Sequence, residues 1–131
     1  MNHRISVVIA GAALLAAAAA ASAHHNMSAI FDFNQRFTRT GTLTKVDWRN
    51  PHIELVVEAK SDQGVIQTWR YEGPSPGVFR SRTVGKTEVV SALGKTVTVE
   101  ASRARDGSLW GLIRMLTLPD GTVLSLCPQN C

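Results

Sequence analysis

The sequence predicts an all-β domain with one or two short helical turns, of the small OB-like Greek-key barrel class, with an open β-sandwich as the alternative. Three observations predict it. Beyond residue 36 the chain divides into short apolar-alternating segments, each bounded by Gly, Pro, Asn or Asp turn chemistry. Helical signals lie only between the third and fourth of these segments. The first segment carries a glycine and a change of parity, the mark of a bent strand that can serve both ends of a closed sheet.

Residues 1–23 read as a cleaved export signal. Arg4 supplies a short positive region, Ile5 to Ala20 is uncharged and Ala-rich, and Ala21-Ser22-Ala23 offers the small residues that a signal peptidase accepts. The apolar run is near the lower limit of the about 17–25 residues a membrane span needs, and no basic flank follows it. No stable membrane anchor is expected, and the location is periplasmic or secreted. Residues 24–36 are expected to fold back over the barrel on Met27, Ile30, Phe31 and Phe33.

The β domain spans residues 37–126. FTRTGTLTKVDW, 37–48, is the first strand, with Gly41 and the opposed parities of Leu43 and Val46 predicting a bulge or bend. Asn50-Pro51 makes a tight turn. HIELVVEA, 52–59, alternates cleanly, with Ile53, Leu55 and Val57 on one face. Ser61 to Gly64 turns the chain into VIQTWRYE, 65–72. Ser75-Pro76 has the chemistry of a short helix start, and Thr87 to Leu93 a second helical turn with Glu88 near its start and Gly94 after it. KTVTVEASRA and LWGLIRMLTL are the next strands, joined by Arg105-Asp106-Gly107-Ser108, a strong hairpin signal. Pro119-Asp120-Gly121 turns into TVLSL.

The segment 24–131 holds 108 residues, enough for one domain. Without Arg4, thirteen Lys and Arg stand against ten Asp and Glu, a net +3 that is too mild to argue for a polyanion, and no nucleic-acid partner is expected. Nine of the thirteen cations are Arg, whose planar forks suit carboxylates, phosphates and sulfates and stack on aromatic rings. Cys127 and Cys131 close the chain as CPQNC, where Pro128 favours a turn and a local disulfide is expected in an oxidising compartment. No nucleophile elbow, phosphate-binding loop, HExxH or CxxCH is present, so a binding module is the leading reading and an enzyme the lesser one.

Cleavage after Ala23 makes His24 the first residue. Its free α-amine and its imidazole can then close a chelate ring without help from the fold, and His25 adds a further donor. Nitrogen-rich sites rank Cu(II) above the other first-row divalent ions. His52, at the entry to the second strand, is the third expected ligand. The leading reading is therefore a Cu(II) site of His24, His25 and His52. The alternative is a metal-free module that binds an anionic envelope molecule or partner protein through Trp48, Arg49, Arg103, Arg105 and Arg114. A copper-dependent oxidative enzyme is a third reading with no substrate specified. Burial of the tryptophans in the core is the plain structural alternative to a stacking surface.

The order of motifs resembles the domain-of-unknown-function family 6152, small exported bacterial proteins. The resemblance rests on Ala-His-His at 23–25, Phe31-Asp32, Gly41-Thr42-Leu43, Trp48-Arg49-Asn50-Pro51-His52, Ser75-Pro76, Ala104 to Ser108 and Leu118 to Gly121. It covers nearly all of the chain beyond the signal. It implies export and a single β domain and leaves the activity open. The Cys127–Cys131 tail departs from the family pattern, so the resemblance carries no role onto it.

Overall fold

The computed structural model describes residues 27–80, 82 and 84–126. Residues 1–23, read above as an export signal, His24, His25 and the Cys127–Cys131 tail lie outside the described residues. The elements are α1 (Met27–Ile30), β1 (Phe31–Asp47), β2 (Glu54–Lys60), β3 (Ile66–Glu72), a 3₁₀ turn (Pro76–Phe79), α2 (Lys86–Ser91), β4 (Thr96–Ala104), β5 (Trp110–Thr117) and β6 (Val123–Ser125).

Antiparallel pairing runs β3-β2-β1-β4-β5-β6, and a parallel pairing of β3 with β5 closes the sheet into a ring. That closure, with helical turns between β3 and β4, is the arrangement predicted, and it sets aside the open sandwich. β1 is long enough to pair with β2 through its C-terminal half and with β4 through the rest. Its bend is where the sequence placed it: the register against β2 slips between Leu43 and Lys45. Gly41 is required at this crossing, because a Cβ there would collide with the carbonyl oxygen of Glu58.

β1 begins six residues earlier than predicted, at Phe31 rather than Phe37. Its first turn of pairing, Phe31 with Ala104 and Asp32 with Arg103, is separated from the rest by a bulge between Asp32 and Arg36. That bulge removes the alternation by which the sequence announces a strand.

Alternate residues of each strand face opposite sides of the sheet. The inward set, including Leu43, Leu55, Val57, Val97, Val99 and Leu116, is fully buried and forms one core. A second, smaller cluster lies apart from it: Phe31, Ala104 and Leu112, with Met27, Ile30, Phe33 and Trp110 packed against them. This cluster ties α1 to the strands at the β3–β5 closure. Phe31 meets Trp110 edge to face at 4.9 Å. The Arg105 N–H donates to the Ile30 carbonyl at 2.9 Å, and Arg105 Nε donates to the Ser28 carbonyl at 2.9 Å. α1 and the start of β1 thus pack against the ring. Among the described residues no helix is long and apolar enough to cross a membrane.

Candidate functional site

The turn from β1 into β2 positions His52. Asn50–Pro51 is a cis peptide. Ile53, immediately after His52, precedes the strand yet is pinned by two main-chain bonds: its N–H donates to Pro74 at 3.1 Å, and its carbonyl accepts from Gly73 at 2.9 Å. Ile53 is also 1 % exposed, a core anchor beside a half-buried histidine. His52 is therefore held by the fold and does not trail from a loop.

The imidazole is oriented by Glu72, the last residue of β3. His52 Nδ1 lies 2.5 Å from Glu72 Oε1. A carboxylate accepts, so Nδ1 carries the hydrogen; in the neutral ring the lone pair then resides on Nε2, which has no hydrogen-bond partner among the described residues. Registry explains the contact: Glu54 pairs directly with Glu72 across β2 and β3, and His52 lies two residues before Glu54. Glu54 itself is held by Arg70, with Arg70 Nη2 donating to its Oε2 at 2.7 Å. Glu72 was not among the site residues that the sequence indicated, and only cross-strand pairing brings it to His52.

Two clefts meet at this histidine. The first, of about 260 Å³, is lined by Ile30, Pro51, His52, Ile53, Glu54, Glu72 and Trp110. The second, of about 170 Å³ and largely apolar, is lined by Met27, His52, Gly73, Pro74, Leu112, Ile113 and Leu126. Both described ends of the chain thus border His52, since Met27 and Leu126 share the second cleft with it. Met27 packs in the outer cluster, as its apolar character predicts. Among the described residues no three His, Cys, Asp or Glu side chains come together as a metal cage.

The residues expected to bind an anion are dispersed. Trp48 is half-buried against Phe79, with ring centroids 4.7 Å apart, and exposed Arg49 pairs with Asp47 at 2.8 Å. Arg114 is half-buried on β5, donating to Ser102 Oγ at 3.3 Å and lying 3.9 Å from Glu100. Arg103 and Arg105 do share a polar cleft of about 270 Å³ with Asp32 and Gln35, but Arg105 is committed to Asp32 at 3.5 Å and to Ser28. The other tryptophans also pack: Trp69 is 1 % exposed in the inner core, and Trp110 is half-buried in the outer cluster.

A family model, DUF6152, described as a family of unknown function, matches residues 12–114. No curated protein and no solved structure matches the chain.

Proposed function

We propose that this chain, which belongs to the DUF6152 family, is an exported Cu(II)-binding module whose ligands are the α-amine and ring of His24 with the rings of His25 and His52. One observation carries the reading: Met27 borders the same cleft as His52. Met27 follows His24 by three positions, and three steps of the chain reach at most about 10 Å. An N-terminal chelate is therefore tethered within range of the His52 ring.

The chemistry at His52 supports the same reading. A histidine ligand commonly donates its second ring N–H to a carboxylate, which fixes the tautomer and raises the basicity of the ligating nitrogen. Glu72 is placed on Nδ1 in that manner. With Nε2 from His52 and two nitrogens from His24, the donor set is three nitrogens, and His25 adds to it or replaces one. Such a set ranks copper first among the divalent ions.

The test uses protein that begins at His24, titrated with Cu(II) and read by nitrogen hyperfine structure in electron paramagnetic resonance. One equivalent is expected to bind tightly. A single Met placed before His24 blocks the amine chelate and abolishes the tight phase. Glu72→Gln keeps the ligands and weakens binding by about tenfold or more, and His52→Ala weakens it further. Unchanged affinity in the Met-extended protein would overturn the chelate, and unchanged affinity in His52→Ala would remove the fold from the site.

A further inference from the structure

On the inner face of the ring, away from His52, one mouth is built from aromatic rings and cations. Phe37 on β1 and Trp69 on β3 have centroids 4.8 Å apart, and Tyr71 stacks at 6.2 Å from Trp69 and 6.3 Å from Phe37. Gly111 makes room for this platform: a Cβ there would lie 2.9 Å from the Ala101 Cβ and 3.0 Å from the Phe37 ring. Two guanidinium groups rest on the same indole. Arg39 lies 5.8 Å from the Trp69 centroid, and Arg103 lies 5.6 Å from it and 5.9 Å from Phe37.

Two like charges on one ring call for a counter-charge, and the described residues supply little. The Arg103 guanidinium has no hydrogen bond or ion pair among them. Arg39 has Asp62 at 3.9 Å, a carboxylate that is 83 % exposed, and Nη1 donates to the Thr38 carbonyl at 3.2 Å. At this platform three polar atoms are buried without a partner: Trp69 Nε1, Tyr71 Oη and the Nε of Arg39 itself. Trp69 and Tyr71 are 1 % and 0 % exposed. Such atoms cost free energy unless something accepts from them. The indole and guanidinium nitrogens can only donate, and the phenol can donate. Burial pushes the Tyr71 hydroxyl above its ordinary value while the positive charge of Arg39 works the other way, which places that guanidinium within electrostatic reach of the phenol.

We infer that this mouth is a binding site for an oxyanion group, a carboxylate, sulfate or phosphate, held between Arg39 and Arg103 with the buried Trp69 and Tyr71 donors beneath it. Guanidinium forks match such groups in geometry, and the aromatic wall lowers the local dielectric around the pair. Arg103 also lines a polar cleft with Asp32, Gln35 and Arg105. Of the residues that the sequence marked for an anion, only Arg103 takes part. Arg39 is the addition. The site is separate from the copper reading and stands if that reading fails.

The orphan donors are themselves the probe. Proteins labelled with ¹⁵N are titrated with acetate, sulfate and phosphate at constant ionic strength, following the indole N–H signals of Trp48, Trp69 and Trp110. A saturating shift of the Trp69 signal alone is expected, and comparison of the three salts identifies the preferred oxyanion. Arg103→Gln raises the midpoint at least about tenfold, whereas Arg49→Gln, at the exposed β1–β2 turn, leaves it unchanged. If Arg103→Gln loses the dispersed spectrum of a folded protein, Arg103→Lys replaces it; that variant keeps the charge, loses the fork and weakens binding. No saturating shift with any of the salts, equal shifts in all three indoles, or a midpoint unmoved by Arg103 substitution would each overturn the site.

Discussion

Single glycines set two of the closest approaches in this protein, and the physics ranks them. At Gly41 an added Cβ meets main chain, the Glu58 carbonyl, at the crossing of β1 and β2. At Gly111 it meets side chains, the Ala101 methyl and the edge of the Phe37 ring. The Phe37 ring can yield by rotation and the Ala101 methyl by a small shift of its strand, whereas at position 41 the obstacle is main chain paired in a ladder. Gly111→Ala is expected to cost about 1–3 kcal/mol, the usual range for an overfilled core. Gly41→Ala is expected to cost more, because β1 must leave its partner. Urea denaturation of both variants checks the order, and a smaller loss at position 41 would contradict it. Gly111→Ala also crowds the platform under Arg103, so it is expected to broaden the Trp69 indole signal while leaving Trp48 sharp.

Among the elements, α2 shows how a short helix is held by its start. Glu88 reaches back to accept from the Gly85 N–H at 2.8 Å, and that bond holds its carboxyl below the usual glutamate range. A carboxyl depressed in the folded state adds stability above its unfolded pKa, and the contribution fades as pH falls through the folded value. Asp106 and Asp120 are lowered too, Asp106 by the Ser108 hydroxyl and N–H and Asp120 by the Thr122 N–H and hydroxyl, each in a turn closed by a positive-φ glycine, Gly107 or Gly121. Glu88→Gln is therefore expected to be less stable than the parent near neutral pH; the gap is expected to narrow once pH falls past the ordinary glutamate value of about 4.3 and to close below the lowered folded value. Thermal melts at pH 7 and pH 3 check this; a gap that widens in acid would refute it. These same residues explain what was legible. Asp-Gly turns, Glu88 and the Ile53-Leu55-Val57 alternation are local signals, so β2 to β6 and both helical turns could be read from them. The start of β1 could not, because its bulge at Asp32–Arg36 erases the period. Sites divide in the same way. His52 could be read as a candidate from its type and its turn. Glu72 depends on the β2–β3 register. Arg39 reads as a surface cation until Leu43, Gly41 and Phe37 are seen to share its inward parity.

At the scale of the whole molecule the protein is a ring with a small apolar annex, and function is proposed where the two meet. The ring core needs nothing from α1: its buried residues come from β1 to β6, the residues flanking those strands and the β3–β4 connection. The annex exists because Phe31, Ala104 and Leu112 turn away from that core and need a cover, which Met27 and Ile30 supply. Phe31 is the keystone, fully buried and edge-on to Trp110. Phe31→Ala removes a large buried ring, for which the cost is about 3–5 kcal/mol when the site cannot collapse. Because the annex is a separate cluster, that loss is expected to show first as local opening and only then as global unfolding. Amide exchange is expected to speed up at Arg105, whose N–H is bonded to Ile30, while Leu55, Val57 and Trp69 in the ring keep their protection. Uniform acceleration across both groups would mean that ring and annex are one cooperative unit. The same variant separates the two proposed sites. Met27 loses its seat beside His52, so copper affinity falls with the annex, whereas the Trp69 indole, on the inner face of a ring that still closes, keeps its response to oxyanions.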